Sequence, residues 1–470
     1  MHFIIYAIAF LEWFTTLSVE IVALRKFTPI IWSSSISTSI ILWVILLALS
    51  YWYYKWGQIS AQWKKIESIL VRNLLIASAY YFFITFIFTE VTLQSILSLS
   101  GNYFFAILVA SIILFFIPVF LASQTIPLLS ELLKWKHSWE KMWKLLFYST
   151  IWSFLGSVGT SSFLFPLIWV IKTAVISPLI LVICSVLIMY YTKFYKKVFC
   201  VVAVFLFSFY ISILAIDIKA DGYVYHSSNA YHDIHIYDDD LWRRIFSLDG
   251  AFSSGINLDD KKSFFNYIQE VEKLVEEQKP KNILVIWAAG FTFPRDVSQF
   301  DFVENIDVID VDKDLKEIAE TYLLEEKLSE KINFYAQPAR YFLNTIEGKK
   351  YDMVFVDAYS GKSLPPQVLT QEFFQQLTEV SEAIYLNIIM DTSLQSTFSQ
   401  SLLNTLVESF PKAYYKDVWV SKRNYFTNFI VSNKELKGYH QVNVQKTDIY
   451  TDNKHSIELD LFQLNNNKLK

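Results

Sequence analysis

The segment NILVIWAAGFTFPR, residues 282–295, decides the fold of the C-terminal half of this chain. Its apolar run NILVI has the length and β-branched composition of a buried parallel strand, and the turn WAAG leads into a helix. The strand pattern recurs in IDVIDVD (306–312) and YDMVFVDA (351–358), with the helical segment KDLKEIAETYLL (313–324) after the first of them. This alternation predicts a Rossmann-like α/β domain with a mostly parallel sheet and helices on both faces.

Shorter elements surround this centre. Upstream, HDIHIY (232–237) and RRIFSLDG (243–250) predict a small β-hairpin region, and residues 262–278 predict an amphipathic helix. Downstream, AIYLNIIM (383–390) and NYFTNFIVS (424–432) predict two further strands. We therefore assign residues 219–470 to one α/β domain.

The N-terminal half has a different character. The segment FIIYAIAFLEWFTTLSVEIVAL (3–24) is long enough to cross a bilayer, and it lacks the basic start and small-residue cleavage site of a signal peptide. Seven spans are expected in residues 1–218, with an uncertainty of one; the other six are 29–53, 70–92, 102–126, 145–166, 167–190 and 197–216. The predicted architecture is an α-helical transmembrane bundle followed by the α/β domain.

Composition excludes several classes of protein. Hydrophobic residues make up 53% of the 470 residues, well above soluble averages, and the net charge of -4 does not indicate a nucleic-acid partner. The two cysteines, Cys184 and Cys200, lie in apolar runs and form neither a disulfide framework nor a zinc-finger spacing.

The carboxyl ends of parallel strands are where α/β sheets bind ligands. Gly290 is the one glycine in the turn after the first parallel strand, so the pattern GxGxxG is absent and dinucleotide binding is not expected. Asp310 follows at about twenty residues, the spacing at which a carboxylate binds ribose hydroxyls, although Asp310 and Asp312 could equally cap the next helix. Asp357 ends another strand, where it could accept a proton from an amine, bind a cation, or simply stabilise its own turn.

Taken in order, these segments resemble the spermidine synthase (polyamine aminopropyltransferase) family, and especially members in which membrane helices precede the synthase-like domain. The resemblance covers residues 225–432. The segments that carry it are SNAYHDIHIY (228–237), FSLDG (246–250), ILVIWAAGF (283–291), VIDVDKDL (308–315), QPAR (337–340) and VDAYSGKSLPPQVLTQEFF (356–374).

The resemblance implies a methyltransferase-type Rossmann fold and a set of roles. Asp357 would deprotonate the attacking amine, and Asp310 would bind the ribose of decarboxylated S-adenosylmethionine or a related sulfonium nucleoside. Ala288, Ala289 and Gly290 would form the cofactor turn, and Ala339 would lie beside the adenine. The substrate would be a small amine or polyamine, and no metal would be needed.

The sequence also departs from the family pattern. Pro338 stands where an adenine-binding Asp is usual, and Ser360 where a second acid helps to bind the polyamine. Glutamines are replaced by His232 and Ser253, and FNY (265–267) replaces a segment that contains Glu. Because a dicationic amine needs carboxylates to offset its desolvation, these changes weaken the case for a diamine acceptor.

Loop charges predict the orientation of the chain in the cytoplasmic membrane. Eleven basic residues lie in alternate loops, and the loops near 93–101 and 166 have none; the basic positions are Lys55, Lys64, Lys65, Arg72, Lys134, Lys136, Lys141, Lys144, Lys193, Lys196 and Lys197. The positive-inside rule then puts the N-terminus in the cytoplasm and, with seven helices, the C-terminal domain outside. An adenosyl cofactor made in the cytoplasm argues for the opposite side.

Two features of the bundle could be functional or structural. Glu12 and Glu20 lie broadly on one side of the first helix, where they could line a cation or polyamine path or act as protonated structural acids. Gly156 and Gly159 are expected to allow close helix packing.

Three hypotheses follow. The leading one is a membrane-anchored aminopropyltransferase that contacts lipid. The second is a catalytically silent synthase-like domain that binds a ligand and assists a transport bundle, and the third is an S-adenosylmethionine-dependent methyltransferase. The sequence leaves open whether the chain forms a homo-oligomer.

Overall fold

The computed structural model describes most of the chain as two compact units. The described residues are 2–31, 35–59, 66–82, 87–132, 138–192, 223–229, 231–346, 350–357, 365–410, 412–418, 426–444 and 447–468. One unit holds residues 1–222 with 227–230, and the other holds 223–226 with 231–470. The predicted boundary at 218/219, Cys200 and the predicted span 197–216 lie outside the described residues.

The first unit is helical. Its helices are α1 (His2–Ile31), α2 (Ser35–Ile59), α3 (Ile66–Ala79), α4 (Ile87–Ser100), α5 (Tyr103–Ser111), α6 (Ile117–Ala122), α7 (Thr125–Leu132), α8 (Ser138–Gly159) and α9 (Phe165–Thr192). Two π-helical turns, Ile112–Phe116 and Thr160–Leu164, follow α5 and α8.

Four of the described helical segments are long and apolar enough to cross a membrane. They are Ile4–Phe27, Ser35–Trp52, Tyr103–Ala122 and Lys172–Tyr190. Within the predicted span 70–92, the structure describes residues 70–82 and 87–92, which belong to α3, the three residues after it and α4; residues 83–86 lie outside the described residues. The expected count of seven spans stays a prediction.

Helix α1 packs against both α8 and α9. The Ser18 hydroxyl lies 2.9 Å from Thr160 Oγ1 and 2.9 Å from Ser177 Oγ. At Gly156 a Cβ would lie 2.6 Å from the Phe14 carbonyl oxygen, so this glycine permits the close approach of α8 to α1, whereas at Gly159 a Cβ would meet only a ring atom of Phe14 at 3.7 Å.

The second unit begins with a four-stranded antiparallel sheet. Its strands are β1 (Tyr225–Ser228), β2 (Asp233–Asp238), β3 (Arg243–Leu248) and β4 (Ala251–Asn257), in the order 1-2-3-4. The predicted hairpin is therefore the centre of a larger sheet. Helix α10 (Asn266–Gln278) follows; its first four predicted residues, 262–265, lie outside the helix.

The main sheet has eight strands and is mixed. The strands are β5 (Asn282–Ile286), β6 (Asn305–Asp310), β7 (Ile332–Ala336), β8 (Met353–Asp357), β9 (Ile384–Asp391), β10 (Tyr414–Asp417), β11 (Phe426–Ser432) and β12 (His440–Gln441). Their order is 12-10-11-9-8-5-6-7. The neighbouring strands β9, β8, β5, β6 and β7 run parallel, whereas the pairings of β11 with β9, β10 with β11 and β12 with β10 are antiparallel. The expectation of a mostly parallel sheet thus holds for five strands, while the late strand β11 pairs antiparallel with β9.

Helices pack on both faces of this sheet. They are α11 (Thr292–Val297), α12 (Leu315–Ile318), α13 (Ala339–Thr345), α14 (Gln371–Val380), α15 (Thr397–Ser409) and α16 (Ile457–Lys468), together with α10. Alternate residues of β5 point to opposite faces, so Leu284 and Ile286 belong to one apolar core and Ile283 and Val285 to the other. Burial on both faces explains the unbroken apolar run in NILVI.

Candidate active site

Strand register places two of the predicted carboxylates at one edge of the sheet. Strand β5 lies between β6 and β8, and all three run parallel, so their carboxyl ends lie side by side. Asp310 is the last residue of β6 and Asp357 the last of β8. Both line a cavity of about 300 Å³, and Ala289 in the turn after β5 lines the same cavity.

The Asp357 carboxylate is held from two sides. Its Oδ2 accepts a hydrogen bond of 2.9 Å from the Tyr267 hydroxyl on α10, and its Oδ1 accepts one of 2.7 Å from Asn387 Nδ2 on β9. Asn387 Oδ1 in turn accepts a hydrogen bond of 2.9 Å from Asn428 Nδ2 on β11. Burial raises the pKa of Asp357 to about 6, although both hydrogen bonds oppose the shift. The carboxylate is therefore fixed in orientation and poised near neutral pH.

Asp310 is also buried, with 4% of its surface exposed. Its Oδ1 accepts a hydrogen bond of 3.1 Å from the Asp312 backbone N–H, while Asp312 Oδ1 accepts one of 3.1 Å from Asp314 N–H. Burial raises the pKa of Asp310 to about 6. Asp310 therefore stabilises the turn before α12 and also lines the cavity.

His232 lines the same cavity, and its Nδ1 lies 3.1 Å from Asp249 Oδ2. Burial alone would lower the pKa of His232, but the hydrogen bond to Asp249 and the nearby carboxylates of Asp310 and Asp312 raise it above its usual value. A glutamine at this position would carry no charge. The histidine thus gives this side of the cavity a group that can become cationic near Asp310.

The turn after β5 has an unusual backbone. Trp287, Ala289 and Phe291 adopt positive φ values of 61°, 44° and 59°, a region that favours glycine. Gly290 is required for a different reason, since a Cβ there would lie 2.8 Å from Ser254 Cβ. The few glycines of this chain therefore do not prevent a left-handed turn; non-glycine residues adopt it.

The other predicted site residues lie off the main cavity. Ala288 lines a neighbouring cavity of about 10 Å³, which it shares with Tyr267 and Asp357, and Gly290 is buried behind the turn. Ala339, the first residue of α13, belongs to the apolar core and is 5% exposed. Neither Ala339 nor Pro338 is among the residues that line the 300 Å³ cavity. Ser253 does line that cavity, whereas Ser360 lies outside the described residues.

Sequence analysis missed three polar partners of the cavity. In the sequence, Tyr267 belongs to the segment FNY (265–267), and no local pattern links it to Asp357, which lies ninety residues further along the chain. Asn387 did carry a signal, because it is a lone amide inside the apolar strand AIYLNIIM and a buried amide requires a partner. The register pairs it with Asp357 across β8 and β9. Asn428 could be identified only once β11 was placed beside β9.

The comparisons with known proteins bear on this unit. Residues 266–446 match the spermine/spermidine synthase domain. This match confirms the family resemblance for the motifs from ILVIWAAGF onward, while SNAYHDIHIY and FSLDG lie before the matched residues. The match covers Tyr267, Asp310, Asp357 and Asn387. The domain's fold is Rossmann-like with a mixed sheet.

Similar proteins match the synthase domain over part of their length. The polyamine aminopropyltransferase of Alkaliphilus oremlandii (strain OhILAs) is 26% identical over 161 residues, which cover 34% of this chain and 55% of that protein. The enzyme of the same name from Vibrio vulnificus (strain CMCP6) is 26% identical over 124 residues, which cover 26% of this chain and 41% of that protein. This chain thus spans about half the length of these relatives.

Solved structures of similar proteins are spermidine synthases. A probable spermidine synthase from Corynebacterium glutamicum ATCC 13032 has a TM-score of 0.38 and 18% identity, over 43% of this chain and 76% of that one. A spermidine synthase in complex with the transition-state analogue AdoDATO has a TM-score of 0.38 and 16% identity, over 46% of this chain and 73% of that one.

Proposed function

We propose that the second unit is an aminopropyltransferase that moves an aminopropyl group from decarboxylated S-adenosylmethionine, or a related sulfonium nucleoside, to an amine. The observation that carries this proposal is the partly buried Asp357 carboxylate, oriented by Tyr267 and Asn387 in the cavity that Asp310 also lines. A base of this kind needs a pKa near the working pH, and burial supplies it.

The cavity fits part of the donor. Asp310 offers a buried carboxylate to ribose hydroxyls, and the aromatic side chains of Trp287, Phe252 and Phe265 suit a sulfonium cation, which is attracted to ring faces. The adenine end fits less well, because the acid of the family pattern is replaced by Pro338, which is not among the lining residues. We therefore expect the ribose and sulfonium portions to contribute most of the affinity.

Asp357 would act on the acceptor. When bound, the donor supplies an aminopropyl carbon that is activated by positive sulfur. As the C–N bond forms, the C–S bond breaks and the electron pair of the C–S bond remains on sulfur. Asp357 accepts the proton that the amine nitrogen loses. Tyr267 and Asn387 keep the carboxylate in position for this transfer.

The charge of the cavity favours an acceptor with a single amine. Near Asp357 the lining side chains include the carboxamides of Gln367, Asn387 and Asn428. The segment AYSGKSL (358–364), which directly follows Asp357, contains a lysine and no acid. Among the described lining residues the carboxylates are Asp357 and Asp310, which we assign to the base and to the ribose, so a second ammonium group would be desolvated without a carboxylate of its own.

Full-length protein in detergent tests the proposal. Calorimetry with decarboxylated and with intact S-adenosylmethionine should give binding of the former, and an assay with labelled donor should show transfer to monoamines in preference to diamines. Binding of neither nucleoside would favour the silent ligand-binding domain. Methyl transfer from the intact cofactor would favour the methyltransferase hypothesis.

We further infer that the helical unit anchors the protein in the cytoplasmic membrane. Of 33 exposed large hydrophobic side chains among the described residues, 26 belong to the helical unit. Its interior instead holds polar side chains such as Glu12, Asn73 and Gln124. An apolar exterior around a hydrogen-bonded polar interior suits a lipid solvent.

The loop charges favour a location of the C-terminal domain outside the cytoplasm. Paired C-terminal fusions to alkaline phosphatase and to a fluorescent protein test this. Phosphatase activity without fluorescence is expected. Bright fluorescence without phosphatase activity would place the domain in the cytoplasm, beside the supply of adenosyl cofactor.

A further inference from the structure

Two strands of the N-terminal sheet bring together a histidine pair and a carboxylate. His226 lies on β1, and Asp233 and His235 lie on the neighbouring strand β2. Because Asp233 and His235 are two residues apart on a strand, their side chains point to the same face. None of the three is among the residues that line the 300 Å³ cavity.

The three side chains converge on one carboxylate. His226 Nε2 lies 3.2 Å from Asp233 Oδ1, and His235 Nε2 lies 2.9 Å from Asp233 Oδ2. The two imidazole rings stack with centroids 4.2 Å apart and an interplanar angle of 19°. One ligand atom from each residue can be chosen so that all three lie within 4.8 Å of one another.

These separations are close to those around a tetrahedral zinc ion. With bonds of about 2.0–2.1 Å to nitrogen and oxygen, two ligand atoms of such an ion lie roughly 3.3 Å apart. The two nitrogen–oxygen separations of 3.2 and 2.9 Å differ from that value by a few tenths of an ångström. A cation could therefore enter with small side-chain rotations rather than a movement of the strands.

The donor set and its burial also suit zinc. Two imidazoles and one carboxylate form a common three-ligand zinc set in which water takes the fourth position. The side chains of His226, His235 and Asp233 are 5%, 17% and 27% exposed, so the three ligands are largely shielded but retain some contact with solvent.

We propose that His226, Asp233 and His235 form a binding site for a divalent cation of the zinc class. The ion would link β1 to β2 and so stabilise the start of the second unit. It is separate from the transferase chemistry, for which no metal is needed, and the site does not rest on the proposed activity.

Metal uptake by the full-length protein in detergent tests the site. The protein, purified with a histidine-free tag, is equilibrated with Zn²⁺ and its bound metal is measured by atomic emission. One zinc per chain is expected. His226→Gln and His235→Gln should each weaken binding at least about tenfold. The control His455→Gln removes an exposed histidine elsewhere and should bind as the wild type does.

Cobalt gives a spectroscopic readout. Co²⁺ at the site should show the intense visible bands of a four-coordinate ion, and these should vanish in His235→Gln. Lack of saturable zinc uptake at micromolar concentrations, or equal uptake by the two variants and the wild type, would overturn the proposal.

If neither substituted protein folds, the melting temperature of the wild-type protein still tests the site. Zinc should then raise the melting temperature of the wild type by at least about 2 °C, and EDTA should reverse the rise. An unchanged melting temperature would overturn the proposal.

Discussion

The two units of this chain place their polar groups in opposite ways. In the helical unit large apolar side chains are exposed, and polar ones such as Glu12, Asn73 and Gln124 are buried. In the α/β unit apolar cores fill both faces of the sheet, and the buried Asp310 and the partly buried Asp357 lie at the carboxyl ends of its strands. In the helical unit, buried polar side chains such as Asn73 and Gln124 bond to one another. In the α/β unit, the acids Asp310 and Asp357 instead line a cavity where a ligand could react.

The largest effect is expected where the α/β unit places its base. Asp357→Asn should lower aminopropyl transfer at least about a hundredfold, since general-base catalysis contributes about 10² to 10⁴. Steady-state assays of the full chain measure this. Asp301→Asn, an exposed acid of the same unit, is the control and should leave turnover unchanged. Equal turnover in a folded Asp357→Asn protein would reduce Asp357 to a turn residue.

The pH dependence of the rate sharpens the same point. Asp357 acts as a base only when ionised, and its pKa is about 6. Transfer should therefore be near its plateau above pH 7, and at pH 4 it should be lower by about a hundredfold, two pH units below the pKa. Initial rates across this range should show an acid limb near pH 6. A rate independent of pH between 4 and 7 would exclude Asp357 as the base.

Burial of Asp310 should reduce stability at neutral pH. Its folded pKa of about 6 exceeds the ordinary 3.8, so the folded state holds a proton that the unfolded state has lost. The associated stability is present below about pH 4 and is lost as pH rises through 6. Asp310→Asn should avoid this loss and raise the free energy of unfolding at pH 7.5 by roughly 3 kcal/mol, with little gain at pH 4. Denaturant unfolding at both values tests it, and a gain that is the same at both would contradict the prediction.

In the helical unit the sensitive position is sterically crowded. Gly156→Ala should lower the free energy of unfolding by about 1–3 kcal/mol, because the added Cβ meets the backbone of Phe14. Gly159→Ala is the matched control, since its Cβ has room and alanine favours a helix. Thermal unfolding in detergent compares the two. Equal melting temperatures would show that α1 and α8 can separate without loss of stability.

The smallest effect concerns the turn after β5. Ala289 has a φ of 44°, where glycine is less strained. Ala289→Gly should raise the free energy of unfolding by at most about 1 kcal/mol. Calorimetric melting measures the change, and Ala288→Gly is the control, because no positive φ is recorded at Ala288 and the variant should gain no stability. A loss of stability in Ala289→Gly would show that the methyl group packs usefully there.

Much of the α/β fold follows from local pattern, and much of the site does not. The strands β5, β6 and β8 and the terminal acids Asp310 and Asp357 could be predicted, because an apolar run of strand length that ends in a carboxylate is a local signal. The antiparallel β10–β11 pairing could not, since direction depends on distant partners. The burial of Ala339 in the core likewise depends on how α13 packs, which the segment QPAR does not encode.

In the helical unit, hydrophobic runs predicted helices but not their ends. The run 70–92 contains the end of α3 at Ala79 and the start of α4 at Ile87, and hydropathy marks neither boundary. Close packing was predicted for both Gly156 and Gly159, but only Gly156 is needed for it, and the sequence cannot distinguish them because they differ in what faces them on α1.

The hydroxyl contact of Ser18 with Ser177 has a consequence for biosynthesis. The two residues are separated by 159 positions, so α1 leaves the ribosome long before α9 is made. At about 5–20 residues per second the delay is roughly 8–30 s. Throughout that time the Ser18 hydroxyl lacks its hydrogen-bond partners Thr160 and Ser177. A chaperone or insertase that shelters the nascent helix would therefore raise the yield of assembled protein, and its absence would leave the first helix exposed to degradation.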